Sequence, residues 1–153
     1  MEKDDTEAVR HIAYASWHHT YEGIIPRHIQ DTFLEGAYHP EMLEKKRTQA
    51  YVYVAEIAGE VIGFANVSLK NEMKEAELFA IYLLPTYQGY GVGTALIDYS
   101  LQEQHLQTLY VEVEQANDIG MQFYKAKGFT HVKTYTEDFA GHLLQTVRLR
   151  LDV

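Results

Sequence analysis

Cysteine is absent from the 153-residue chain. Disulfides, thiolate metal sites and a cysteine nucleophile are therefore excluded, and a reducing compartment, the cytoplasm, is the expected setting. Proline is scarce: Pro26, Pro40 and Pro85 are the only three, and they are scattered. No linker, repeat or low-complexity tract stands out. No apolar run approaches the ~20 residues that span a bilayer. The opening Met-Glu-Lys-Asp-Asp-Thr has neither the basic nor the apolar region of a signal peptide, so no membrane partner is expected. Positive charge is also short, with 13 Lys and Arg against 22 Asp and Glu, a net charge of −9. Such a field repels phosphate backbones, which argues against nucleic acid as a partner. It attracts cationic substrates such as amines or polyamines, and it equally serves solubility.

What is present is an ordinary globular composition, 46% apolar, at a length suited to one domain over residues 1–153. Val9, Ile12, Ala13 and Ser16-Trp17 recur at helical spacing and predict a helix over 4–17. A second helix starts near Pro26, with Ile25, Ile29, Phe33 and Leu34 on its apolar side. His39-Pro40-Glu41 opens a third that runs through Lys46. The period then changes to two. Residues 51–57 and 61–69 read as a hairpin about Ala58-Gly59-Glu60. Residues 76–84 read as a central strand, apolar on both faces from Leu78 onward and ended by Pro85. A helix over 91–105, a strand over 108–113 and a helix over 117–127 follow. The last helix has Asn117 or Asp118 as cap and Gly128 as stop. Strands over 129–135 and 143–151 close the order, joined by a polar turn around 138–141. This is a mixed α/β domain with helices on both faces of one sheet.

The junction after the central strand reads Leu-Pro-Thr-Tyr-Gln-Gly-Tyr-Gly-Val-Gly-Thr-Ala-Leu. Gly89, Gly91 and Gly93 fall within five residues, directly before a helix. Glycines let the backbone turn tightly and let a ligand approach. Free N–H groups at a helix start make an anion site fit for a pyrophosphate. The spacing is neither the dinucleotide fingerprint nor a P-loop, and a tight turn with close helix packing explains the glycines as well.

Gln88-x-x-Gly91-x-Gly93, after Ile81-Tyr82-Leu83-Leu84-Pro85, resembles the acetyl-CoA signature of the GNAT superfamily of N-acetyltransferases. Downstream, Asn117 followed by Phe123-Tyr124 and Gly128-Phe129 resembles that family's Asn-x6-Tyr segment. Trp17 to Pro26 is similar to a branch that includes polyamine acetyltransferase-like proteins. The chain departs from the family in two places. Met1 to Lys3 are too few for the strand that usually precedes the first helix, and Gly120 stands where alanine is more usual.

The resemblance implies a single GNAT-like domain with a mixed, mostly antiparallel sheet, splayed between its central strands. It implies acetyl-CoA as cosubstrate. The backbone of Gln88, Gly89, Tyr90, Gly91, Val92, Gly93 and Thr94 would hold the pyrophosphate. The strand edge at Ile81, Tyr82 and Leu83 would pair with the pantetheine arm. Asn117 would face the coenzyme, unless it is a plain helix cap. Tyr124 would give a proton to the leaving thiolate, because a phenol is protonated at neutral pH. Glu77 is the candidate base, with Glu75 or a water chain as alternatives, and an N–H of Leu83 would polarise the carbonyl. Tyr14, Trp17, His18, Tyr21 and Glu22 are candidates for the acceptor wall. No His-x3-His or His-Glu-x-x-His spacing occurs, so no metal site is expected.

The implied activity is transfer of an acetyl group to a primary amine of a small molecule or peptide. A non-catalytic acetyl-CoA sensor is the rival reading, and a longer acyl chain near Ala80 is a second. Fold alone does not choose the acceptor. A homodimer through the last strands is a further expectation.

Overall fold

The structure, a computed structural model, describes residues 1–153. Three helices come first: α1 (Thr6–Tyr21), α2 (Arg27–Tyr38) and α3 (Pro40–Gln49). Strands β1 (Tyr51–Ile57), β2 (Glu60–Val67) and β3 (Glu75–Leu83) follow, then α4 (Val92–Gln104), β4 (Thr108–Glu114), α5 (Asp118–Lys127), β5 (Thr130–Phe139) and β6 (His142–Asp152). The six strands form one open sheet in the order β1-β2-β3-β4-β6-β5. Only the β3–β4 pair is parallel. No helix is long and apolar enough to cross a membrane.

The core lies in two layers, one on each face. On one side Val9, Ile12 and Trp17 of α1, with Leu34 and Leu43, pack on Phe64, Ala80 and Leu144. On the other, Leu96 and Ile97 of α4, with Tyr124 of α5, pack on Ala65, Val67, Leu78, Val111 and Leu149. Strand β2 is buried from Val61 to Val67 and feeds both layers. Its composition is that of a strand covered twice, and burying each such side chain stabilises the fold by about 1.5–3 kcal/mol.

Two elements outrun their sequence reading. The first helix continues past Trp17 to Tyr21, because Tyr21 lies one turn on and packs its ring on the indole, centroids 4.6 Å apart. Strand β5 continues past Tyr135 to Phe139. Thr136, Glu137 and Asp138 keep pairing with β6, although this edge strand is exposed apart from the half-buried Tyr135 and Phe139 and carries little hydrophobic signal.

Strands β3 and β4 pair only from Glu75 to Leu78 against Thr108 to Val111. Beyond Leu78 they diverge, and β3 keeps its hydrogen bonds to β2 alone. The resulting cleft in the middle of the sheet opens toward the start of α4.

Candidate active site

The cleft has free peptide groups along one wall. Leu84 donates its N–H to Ile62 O at 2.9 Å, and the register sets Tyr82 opposite Phe64 and Leu83 opposite Gly63. Antiparallel ladders alternate, so Tyr82 also faces β2, while Ile81 and Leu83 turn their N–H and C=O toward the diverged edge. The register of β2 on β3 slips at Phe79, which has no partner between the Leu78–Val67 and Ala80–Asn66 pairs. A bulge of this kind re-aims the strand, and it leaves the Phe79 ring 61% exposed at the cavity.

At the far end of β3 the glycine loop turns the chain into α4. Gly89 and Gly91 have φ of 86° and 80°, values that L-residues with a Cβ adopt only at a cost. Gly91 is the N-cap of α4, and no side chain caps the helix. The N–H groups of Val92, Gly93 and Thr94 thus have no intrahelical acceptor, and they sit at the positive end of a 13-residue helix. Gly93 serves a different end, since a Cβ there would lie 3.0 Å from Cζ of Phe123. Tyr90 points away and is 78% exposed.

These parts enclose a cavity of about 400 Å³. Its lining includes Ile81, Tyr82, Leu83, Gln88, Gly89, Gly91, Val92, Gly93 and Thr94 from the strand and loop, and Asn117, Phe123 and Tyr124 from the α5 region. Asn117 is both a cap and a wall: its Oδ1 accepts from Gly120 N at 2.9 Å while its side chain borders the cavity. Gly120 makes room for it, as a Cβ there would come within 2.6 Å of Asn117 Nδ2. Tyr124 is buried, and burial, with Tyr82 and Tyr21 nearby, pushes its phenol well above the usual value. Burial raises Tyr21 and Tyr82 in the same direction.

The opposite wall comes from α1, through Ser16, Trp17, Thr20 and Tyr21. Of the other acceptor-wall candidates, Tyr14 hydrogen-bonds Glu35, His18 pairs with Asp31, and Glu22 pairs with Arg27, none of them at the cavity. Glu77 does not border the cavity either. Both of its oxygens accept from Arg148, Oε2 at 3.2 Å and Oε1 by a shorter bond. Glu75 is likewise engaged, accepting from Asn71 and Tyr110. The carboxylate that does line the cavity is Glu112 of β4. Strand alternation turns Glu112 away from the buried Val111 and Val113, which line the cavity too, so no local signal in the sequence marks it as the wall carboxylate.

A model of the Acetyltransferase (GNAT) family matches residues 7–129. An N-alpha-acetyltransferase of Sulfurisphaera tokodaii is 30% identical over 109 residues, which are 62% of this chain and 65% of that one. The chain thus spans somewhat under two thirds of that relative's length. A spermidine N(1)-acetyltransferase of Thermoplasma acidophilum is 27% identical over 145 residues, covering 89% of both chains. Among solved structures, the PaiA N-acetyltransferase of Thermoplasma acidophilum in complex with coenzyme A superposes with a TM-score of 0.81 at 22% identity, over 100% of this chain and 96% of that one, a likeness of fold. With a family match over residues 7–129 and a sheet splayed between β3 and β4, the chain belongs to the GNAT acetyltransferase family.

Proposed function

We propose that this protein transfers an acetyl group from acetyl-CoA to a primary amine, a polyamine or other small cationic amine ahead of a peptide amine. The observation that carries this reading is one cavity shared by three features: the uncapped start of α4, the free edge at Ile81 and Leu83, and the buried Tyr124. The first suits a pyrophosphate. The second suits the amide-bearing pantetheine arm, which adds to the edge as a strand would. The third suits donation of a proton to a leaving sulfur.

Acetyl-CoA supplies the thioester. A neutral amine attacks its carbonyl carbon, the C–N bond forms and the C–S bond breaks. The proton lost by the amine goes to a base, and the thiolate takes one from Tyr124. Burial that raises the phenol also disfavours a bare thiolate in the same apolar wall, so the transfer is decided by the difference between the two. We assign the base to Glu112, directly or through one water, because it is the carboxylate on the cavity wall. The net charge of −9 and the Glu112 carboxylate favour a cationic acceptor.

The test is an amine panel (polyamines, diamines, amino acids and peptide N-termini) assayed by release of free CoA. Turnover is expected, with kcat/KM highest for a polyamine or diamine. Acetyl-CoA binding without turnover on any amine would overturn the enzymatic reading in favour of a sensor.

A further inference from the structure

Four polar side chains form one hydrogen-bonded chain across the sheet face beside the cavity. Arg148 of β6 lies opposite Glu112 of β4 in the register. Its Nη1 donates to Glu77 Oε2 and to Glu112 Oε1, each at 3.2 Å, and its Nη2 donates to Glu77 Oε1. The guanidinium also sits 4.3 Å over the ring of Tyr110. From beyond β6, Tyr135 of β5 donates its hydroxyl to Glu112 Oε2. That bond pushes the Tyr135 phenol up to about 12.

Of these four, only Glu112 lines the cavity. Each of its oxygens accepts from a different donor, carried on a different strand. Two donors on two strands fix the plane of the carboxylate, whereas a single exposed pair leaves it free to rotate. A carboxylate offers about four lone-pair positions, so two remain for an amine or a water. Arg148 is held in turn by Glu77 and by the Tyr110 ring, with its side chain only 19% exposed. As a stabilising device the network is weak, since partly exposed cross-strand charge pairs contribute little to stability. As a support for one wall residue it is complete.

We propose that Arg148 and Tyr135 are positioning residues for Glu112, and that Glu77 acts one step further out by holding Arg148. The inference rests on Glu112 being the base. It assigns three residues no contact with either substrate and gives them a graded effect: Arg148 and Tyr135 act on Glu112 directly, and Glu77 acts through Arg148.

The experiment is a pair of double-mutant cycles on the full chain, with kcat and both KM values measured and melting temperature as the folding control. Glu112→Gln alone tests the base reading and is expected to lower kcat about 100-fold or more. If it leaves kcat unchanged, that reading and this inference fall together. Arg148→Met and Tyr135→Phe are each expected to lower kcat about tenfold, a part of the Glu112 contribution, with KM for acetyl-CoA unchanged. Arg148→Lys restores part of the loss, because one ammonium still reaches Glu112. Combined with Glu112→Gln, neither variant lowers kcat further. Glu77→Gln lowers kcat less than Arg148→Met. Full additivity with Glu112→Gln, or a fall in kcat that only follows melting temperature, would overturn the positioning role while leaving the base reading intact. A larger loss from Glu77→Gln than from Glu112→Gln would overturn both.

Discussion

A methyl group on Gly93 would lie 3.0 Å from Cζ and 3.1 Å from Cε1 of the Phe123 ring. The ring is itself edge-to-face with Tyr124, centroids 5.3 Å apart. The glycine loop and the buried phenol are therefore in mechanical contact through one aromatic side chain. Gly93→Ala is expected to move the Phe123 ring and, with it, Tyr124. Overpacking of this size costs about 1–3 kcal/mol. The variant should melt earlier, and KM for acetyl-CoA should rise together with a fall in kcat. A rise in KM alone would show that the loop and Tyr124 are independent.

Tyr124→Phe removes one oxygen and leaves the ring between Phe123 and Phe129, both at 5.3 Å. Stability should change little, because the packing is retained. If the phenol protonates the leaving thiolate, kcat falls by about 10²–10⁴, the usual weight of a positioned acid, while acetyl-CoA still binds. Unchanged acetyl transfer would move the acid role to another group.

Four tyrosines of the core and cavity wall predict how the fold responds to alkali. Burial raises Tyr21, Tyr38, Tyr82 and Tyr124 above the ordinary phenol value of 10.0. Below that value both folded and unfolded chains hold these protons, and the stabilisation is complete. Above it the unfolded chain loses protons that the folded chain keeps, so stability falls as pH rises toward the folded values. Urea unfolding followed from about pH 8 to about pH 11 should show a flat region and then a steep loss beyond the free phenol value. Tyr38→Phe should make that loss shallower. A stability that stays flat throughout would mean that the phenols are hydrated in solution.

Local chemistry made much of this legible in advance. Asn117 or Asp118 as cap, of which Asn117 is the one used, and Gly128 as stop mark α5 because each acts within one turn of itself. The glycine loop is legible for the same reason, as its φ values and its helix are neighbours in sequence. What was not legible depends on register between distant strands. Glu77 is the carboxylate that the sequence offers as base, and only the pairing of β3, β4 and β6 ties it to Arg148 and leaves Glu112 on the cavity wall. The last part of β5 is hidden for a related reason: its order comes from pairing with β6 and from Phe139, whose ring packs on Phe33 and Trp17, residues distant in sequence.

Two hairpins carry the same removable strain. Ala58-Gly59 joins β1 to β2 and Ala140-Gly141 joins β5 to β6, each as a two-residue loop. Both alanines have positive φ, 53° and 52°. Such loops favour asparagine, aspartate or glycine in the first position, and an L-residue with a plain Cβ is strained there by about 1–2 kcal/mol. Ala58→Asn and Ala140→Asn should each raise stability by about 0.5–1 kcal/mol, additively at these separate sites. Thermal melts of the single and double variants check this. A neutral result at Ala140 alone would point to the bond that Gly141 N–H donates to Asp138 Oδ1, 2.7 Å, as already setting that turn.

Gly120→Ala sets two terms of similar size against each other. Alanine in place of glycine favours a helix by up to about 1 kcal/mol. The new Cβ would lie 2.6 Å from Asn117 Nδ2 and 2.9 Å from its Cγ, so the amide must leave the position from which it caps α5. Losing an asparagine cap costs about 1 kcal/mol. The melting temperature should therefore hardly move, while KM for acetyl-CoA rises, because the displaced amide is part of the cavity wall. The same change in an Asn117→Ala background has no cap left to lose. There it should stabilise the protein by the full helix term and leave KM where Asn117→Ala alone put it. If Gly120→Ala raised stability equally in both backgrounds, Asn117 would be free to cap from another rotamer, and the close contact with Gly120 would not constrain the site.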